Sequence, residues 1–178
     1  LQLADDADTR ALWPHAFAAE MSISIGGGRL DMELEVTNTG DSPFTFTAAL
    51  HTYLKVREVE ALRIEGLRGL DYRDSADEGR IKKESSVGVL IEDETDRIYH
   101  GTPPTLLVRE DHRAMGIHAE NLPDVVIWNP WEEKCRQLAD MPADGFRRML
   151  CVEAAAVRQP IELGAGASWW GRQTLVAM

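Results

Sequence analysis

Apolar and polar residues alternate with a period of two along most of this chain, and that alternation predicts strands. "MSISI" (21–25), a triple glycine and "RLDMELEVTN" (29–38) read as a hairpin. Leu30, Met32, Leu34 and Val36 fall on one face, and Asp31, Glu33 and Glu35 on the other. "TGDSP" (39–43) is a turn, and "FTFTAALHTYLKV" (44–56) reads as one long strand rich in Phe, Thr and Tyr. The pattern continues through "LRIEGL" (62–67), "SSVGVLIE" (85–92), "RIYHG" (97–101), "TLLVRE" (105–110), "AMGIHAE" (114–120), "DVVIWN" (124–129) and "MLCVEAAAV" (149–157). "WWGRQTLVAM" supplies a last strand, and only "PWEEKCRQLADM" (130–141) offers a helical turn or two, starting at Pro130. Many short strands between Gly, Pro and Asp turns predict an all-β fold, a twisted antiparallel sandwich or a barrel, in one domain over residues 1–178.

The triple glycine is not followed by Lys-Ser/Thr or by a helix, so it is a turn and not a phosphate loop. Charge narrows the partners. Nineteen Lys and Arg against thirty Asp and Glu leave −11, which repels nucleic acid and anionic lipid. No apolar run is long enough to span a bilayer as a helix. The two cysteines, Cys135 and Cys151, have no metal-ligand spacing, and two reduced thiols fit a cytoplasmic setting.

Three titratable residues sit in or beside apolar strands: His51 in "AALHTYL", Asp96 in "DETDRIYH" and Glu153 in "MLCVEAAAV". A carboxylate in such a strand is costly to desolvate, so it needs a partner or a task. Glu153 shares a face with Met149, Cys151 and Ala155, and His51 shares one with Ala49, Tyr53 and Lys55. Each also has an ordinary reading. A strand histidine is more often hydrogen-bonded structure, Asp96 would cap a turn, and Glu153 would pair with Arg147 or Arg148 or face water. If the three converge, the chemistry is proton transfer on a polar small molecule without a metal, because no nucleophile motif and no metal-type histidine spacing occurs.

In order along the chain, "LWPHAF" (12–17), "LEVTNTGDSPFTFTAALHTYL" (34–54), "DETDRIYH" (93–100), "LPDVVIWNPWEEK" (122–134), "DMPADGFRRMLCVEAA" (140–155) and a terminal "W…Q" segment resemble the hexose-6-phosphate mutarotases. These are the glucose-6-phosphate 1-epimerase branch of the aldose 1-epimerase family. The resemblance implies a galactose-mutarotase-like sandwich and cofactor-free interconversion of the α and β anomers of an aldohexose 6-phosphate. It implies Glu153 as general base, His51 as general acid and Asp96 as a sugar-hydroxyl contact. Trp128, Trp131 and Tyr53 are either walls for the sugar or core anchors.

Members of that family are longer at the N-terminus, where a second histidine and phosphate-gripping arginines lie. His15 does not replace that histidine, and Arg57, Arg97 and Arg109 are anion-contact candidates by composition alone. Either such a segment precedes Leu1, or this is a shortened relative. A short form would leave sheet edges uncovered, and a homodimer through those edges is expected. Competing functions are a mutarotase for unphosphorylated aldoses and a non-catalytic carbohydrate-binding sandwich.

Overall fold

Gly26 and Arg29 face each other across the first hairpin in the computed structural model, which describes residues 1–178. Gly27 and Gly28 between them have φ of 58° and 77°, the positive values that a two-residue turn joining twisted strands demands. The elements begin with β1 (Gln2–Ala4), α1 (Ala7–Leu12), β2 (Phe17–Gly26) and β3 (Arg29–Asn38). Next come β4 (Phe44–Leu50), β5 (Tyr53–Lys55), β6 (Arg63–Glu65), β7 (Asp71–Asp74), β8 (Arg80–Lys83) and β9 (Gly88–Val89). The remainder are β10 (Thr95–Tyr99), β11 (Thr105–Glu110), β12 (Arg113–Glu120), β13 (Asp124–Asn129), α2 (Trp131–Cys135), β14 (Met149–Leu163) and β15 (Ser168–Ala177).

They form two antiparallel sheets, one in the order β1-β2-β3-β15-β12-β11-β6-β9 and the other β4-β14-β13-β10-β7-β8, with β5 also on β14. The sheets bury their facing sides together, so the fold is the all-β sandwich that the alternation predicts. Leu54, Leu150, Val152, Val125, Ile127 and Tyr99 of one sheet meet Ile64, Leu106, Val108, Ile117 and Leu175 of the other. Burying each of these side chains contributes about 1.5–3 kcal/mol. In β14 the alternation disappears: Met149–Ala156 are all buried, those on the outer face as well as those facing the core.

Four local features depart from the sequence reading. The stretch 44–56 is two strands, interrupted at His51 and Thr52. Only Gly88–Val89 of 85–92 is strand, while β7 and β8 lie in a segment without clear alternation. The short α1 has no buried residue and therefore no apolar period. It is set by a capping box, in which the Thr9 amide donates to Asp6 and the Asp6 amide donates to Thr9, each at 2.8 Å.

Buried polar side chains fix the irregular points. Asn129 is fully buried; its Nδ2 donates to the carbonyls of Phe146 (2.8 Å) and Met149 (2.9 Å). Its Oδ1 accepts the amide of Trp131, whose φ of 57° would otherwise be strained. Asp124 accepts the amides of Val157 (2.9 Å) and Arg158 (2.8 Å), where the pairing of β14 with β4 shifts register. Gln173 of β15 reaches from one sheet into the other. Its Nε2 donates to the Val152 carbonyl at 2.9 Å, and its Oε1 accepts the Thr52 hydroxyl.

Gln173 thus holds the residue after His51 and the residue before Glu153 with one amide. Gln173→Met keeps the volume but leaves the Val152 carbonyl without this bond in the interior and the Thr52 hydroxyl with only its bond to the Leu50 carbonyl (3.3 Å). It is expected to cost about 3 kcal/mol by urea unfolding; a loss under about 0.5 kcal/mol would contradict the pinning role.

Candidate active site

The interruption between β4 and β5 does not change register. Leu50 pairs with Ala154 and Tyr53 pairs with Cys151, so His51 falls opposite Glu153 across the strand boundary. At the break the Thr52 amide turns to the Leu50 carbonyl (2.8 Å), while the Thr52 carbonyl still accepts the Val152 amide (3.3 Å). Thr52 points inward to Gln173, and by alternation His51 points to the outer face of the sheet.

That outer face carries a row of chemistry. Tyr53, Cys151, Trp128 and Asp96 are successive cross-strand partners through β5, β14, β13 and β10. Such partners lie about 5 Å apart and share a face. Asp96 is therefore a strand residue, not the cap of the turn before it. Glu153 lies two residues along β14 from Cys151, on the same side. The fold brings His51, Asp96 and Glu153 to one face of one sheet.

Within this group the His51 Nε2 lies 3.3 Å from Glu153 Oε1. The histidine side chain is 53% exposed and the glutamate side chain 7%, so a solvent-reachable imidazole meets a desolvated carboxyl. Burial, reinforced by the negative charge of Asp96, pushes Glu153 up to about 7. Arginine does not neutralise it. Arg147 contacts Glu58 and Glu60, and Arg148 donates to the Arg57 carbonyl.

Aromatic rings frame the pair. Tyr53 stacks on His51 with centroids 5.0 Å apart and planes 11° from parallel. Trp128 stands edge-on to both rings, 6.1 Å from each. The two tryptophans of "WNPW" therefore have separate places: Trp128 borders the site face, while Trp131 packs on Phe146 against the core.

The other candidates lie elsewhere. Arg97 is turned toward Glu84 (3.6 Å) and covers the Tyr72 ring, and Arg109 binds Glu65 at 3.0 Å. The Arg57 amide donates to Glu110. His15 packs on Trp13 and Phe44. Two contributors had a weaker sequence signal. Cys151 reads as an apolar strand residue, and Gln173 shows itself only as a polar residue in the apolar final strand.

The fold is thus a β-sandwich that carries an imidazole–carboxyl pair on one sheet. The profile of the family described as aldose 1-epimerase matches residues 1–175, and the chain belongs to that family. A protein of Cenchrus ciliaris named "Putative glucose-6-phosphate 1-epimerase" is 35% identical over 172 residues, covering 94% of this chain and 52% of its own length. One of the same name from Escherichia coli K12 is 26% identical over 156 residues, covering 86% and 51%. The crystal structure of a "putative mutarotase (YeaD)" from Salmonella typhimurium superposes with a TM-score of 0.90 at 25% identity, over 99% of this chain and 58% of that one. The chain spans about half the length of the curated relatives it matches.

Because folding holds the Glu153 proton more tightly than the unfolded chain does, its contribution to stability is full below about pH 4.5 and is lost as pH rises through about 7. Glu153→Gln has no such loss. It is expected to raise Tm by about 5 °C at pH 8 and to change it much less at pH 4, as followed by thermal unfolding. An equal effect at both pH values would contradict the desolvated carboxyl.

Proposed function

We propose that this chain carries the acid–base centre of a mutarotase that interconverts the α and β anomers of an aldohexose 6-phosphate. The observation that supports this most is the 3.3 Å approach of His51 Nε2 to a Glu153 carboxyl whose proton affinity is raised toward neutrality. Anomerisation requires one proton to leave the O1 hydroxyl while another arrives at the ring oxygen O5. Both oxygens are bonded to C1, so an acid and a base a few ångströms apart can serve both.

In this reading Glu153 starts as carboxylate and His51 as imidazolium. Glu153 takes the O1 proton, the O1 electron pair forms the C1=O bond, and the C1–O5 pair moves to O5 as His51 protonates it. The open aldehyde rotates about C1–C2. Glu153 then returns its proton to O1 while His51 removes the one on O5, and the ring recloses on the other face. Both groups end as they began. Asp96 accepts hydrogen bonds from sugar hydroxyls, and Tyr53 and Trp128 pack against the C–H faces of the ring. The phosphate in the substrate follows the relatives' names; the acid–base pair supports the anomeric chemistry.

Exchange NMR on fresh α-glucose 6-phosphate and α-glucose tests this. Wild type is expected to accelerate interconversion of the phosphate sugar more than that of glucose, with a bell-shaped pH profile, because the reaction needs Glu153 without its proton and His51 with one. Glu153→Gln and His51→Asn are each expected to lower the rate at least about 100-fold while sugar still binds. Equal acceleration of both sugars would remove the phosphate from the reading. Wild-type binding without turnover would leave a carbohydrate-binding sandwich.

A further inference from the structure

Cys151 has no part in the proton transfers above, yet it stands among the residues that do. It is fully buried, it precedes Glu153 by two residues on β14, and its cross-strand partner is Tyr53. One ligand atom from each of His51, Cys151 and Glu153, an imidazole nitrogen, the thiol sulfur and a carboxylate oxygen, lies within 4.8 Å of the other two.

We propose that His51, Cys151 and Glu153 form a three-ligand site for a thiophilic divalent cation of the zinc type. The donor set is the first argument. Sulfur, imidazole nitrogen and one carboxylate oxygen are the ligands Zn²⁺ and Co²⁺ prefer, and three protein ligands leave a fourth position open. Hard cations such as Mg²⁺ and Ca²⁺ want oxygen alone.

Geometry is the second argument. Around a tetrahedral zinc, ligand atoms at ordinary bond lengths stand about 3.3–3.7 Å from one another. His51 Nε2 and Glu153 Oε1 are already 3.3 Å apart. The rest of the cluster needs about 1 Å of contraction from its outer limit. Small side-chain rotations of the three ligands can supply that, and the half-exposed His51 ring is the freest of them. Strand alternation fixes the other two ligands, because residues i and i+2 of β14 project from one face.

The coordination is balanced without any redox step. The Cys151 thiol releases its proton to solvent as the sulfur–metal bond forms, a protonated His51 releases its proton likewise, and the neutral imidazole and the carboxylate each give a lone pair. Burial holds the thiol protonated in the free protein, and a bound metal reverses that preference. A metal held this way occupies both the acid and the base, so metal and sugar exclude each other. That consequence rests on the proposed function; the binding does not.

Cobalt titration followed by absorbance tests the site directly. Adding CoCl2 to the reduced wild-type chain is expected to give one equivalent of binding, with a thiolate-to-cobalt charge-transfer band in the near ultraviolet. ZnCl2 is expected to bleach that band. Cys151→Ser should lose it, while Cys135→Ser should keep it, because Cys135 is occupied with the Pro142 carbonyl at 3.2 Å. His51→Ala, a change at a half-exposed side chain, should weaken cobalt at least tenfold, and it serves if the Cys151 variant does not fold. No thiolate band in the wild type, a band that survives Cys151→Ser, or unchanged affinity in His51→Ala would overturn the proposal. The readout is independent of turnover, so an inactive chain that binds cobalt separates the two proposals.

Discussion

The site depends on one electrostatic constraint: a carboxyl group kept out of water in the middle of a sheet, with an imidazole as its near neighbour. Desolvation alone would make Glu153 a defect in β14. Placed opposite His51, 3.3 Å away, and within the field of Asp96, the same burial turns it into a group whose proton is exchangeable near neutral pH. The cost falls on fold stability, and the strands around it are arranged to bear it. β14 lies between β13 and the β4–β5 pair, with its other face in the main core.

Register transmits this constraint. The break at His51–Thr52 frees the backbone from a regular ladder but inserts no residue, so the parity that puts Ala49, His51 and Tyr53 on one side is kept. Gln173 works from behind the sheet, bonding the neighbours of both His51 and Glu153 with its two amide atoms. Asn129 and Asp124 do comparable work at the two ends of β13, one holding the turn to Trp131 and the other the bulge of β14. Each irregular point near the site is closed by a buried side-chain hydrogen bond, which is how a sheet keeps a bend without losing its pairing.

Much of this was legible before the structure, and for a physical reason. Period-two alternation records which face of a strand meets the core, so the class of fold and the shared faces of His51 with Tyr53 and of Glu153 with Cys151 follow from the sequence. The triple-glycine turn was legible because positive φ selects glycine. What alternation does not encode is pairing between distant strands. That His51 lies opposite Glu153, with Asp96 across β13, is a property of the sheet order β4-β14-β13-β10, and no single segment carries it. The β4–β5 break was hidden because the residue that bonds Thr52 there, Gln173, lies over a hundred residues away on the other sheet. The split roles of Trp128 and Trp131 turn on one asparagine that sends the chain into a left-handed residue.

The central claim is that Glu153 is a desolvated carboxyl poised for proton exchange. Carbon-13 NMR of the side-chain carboxyl carbons, titrated from pH 3 to pH 10 with Glu153→Gln used to assign the resonance, measures that most directly. A Glu153 midpoint near 7 is the predicted result. A midpoint near 4.5, the ordinary glutamate value, would mean a hydrated or neutralised carboxylate and would contradict the account.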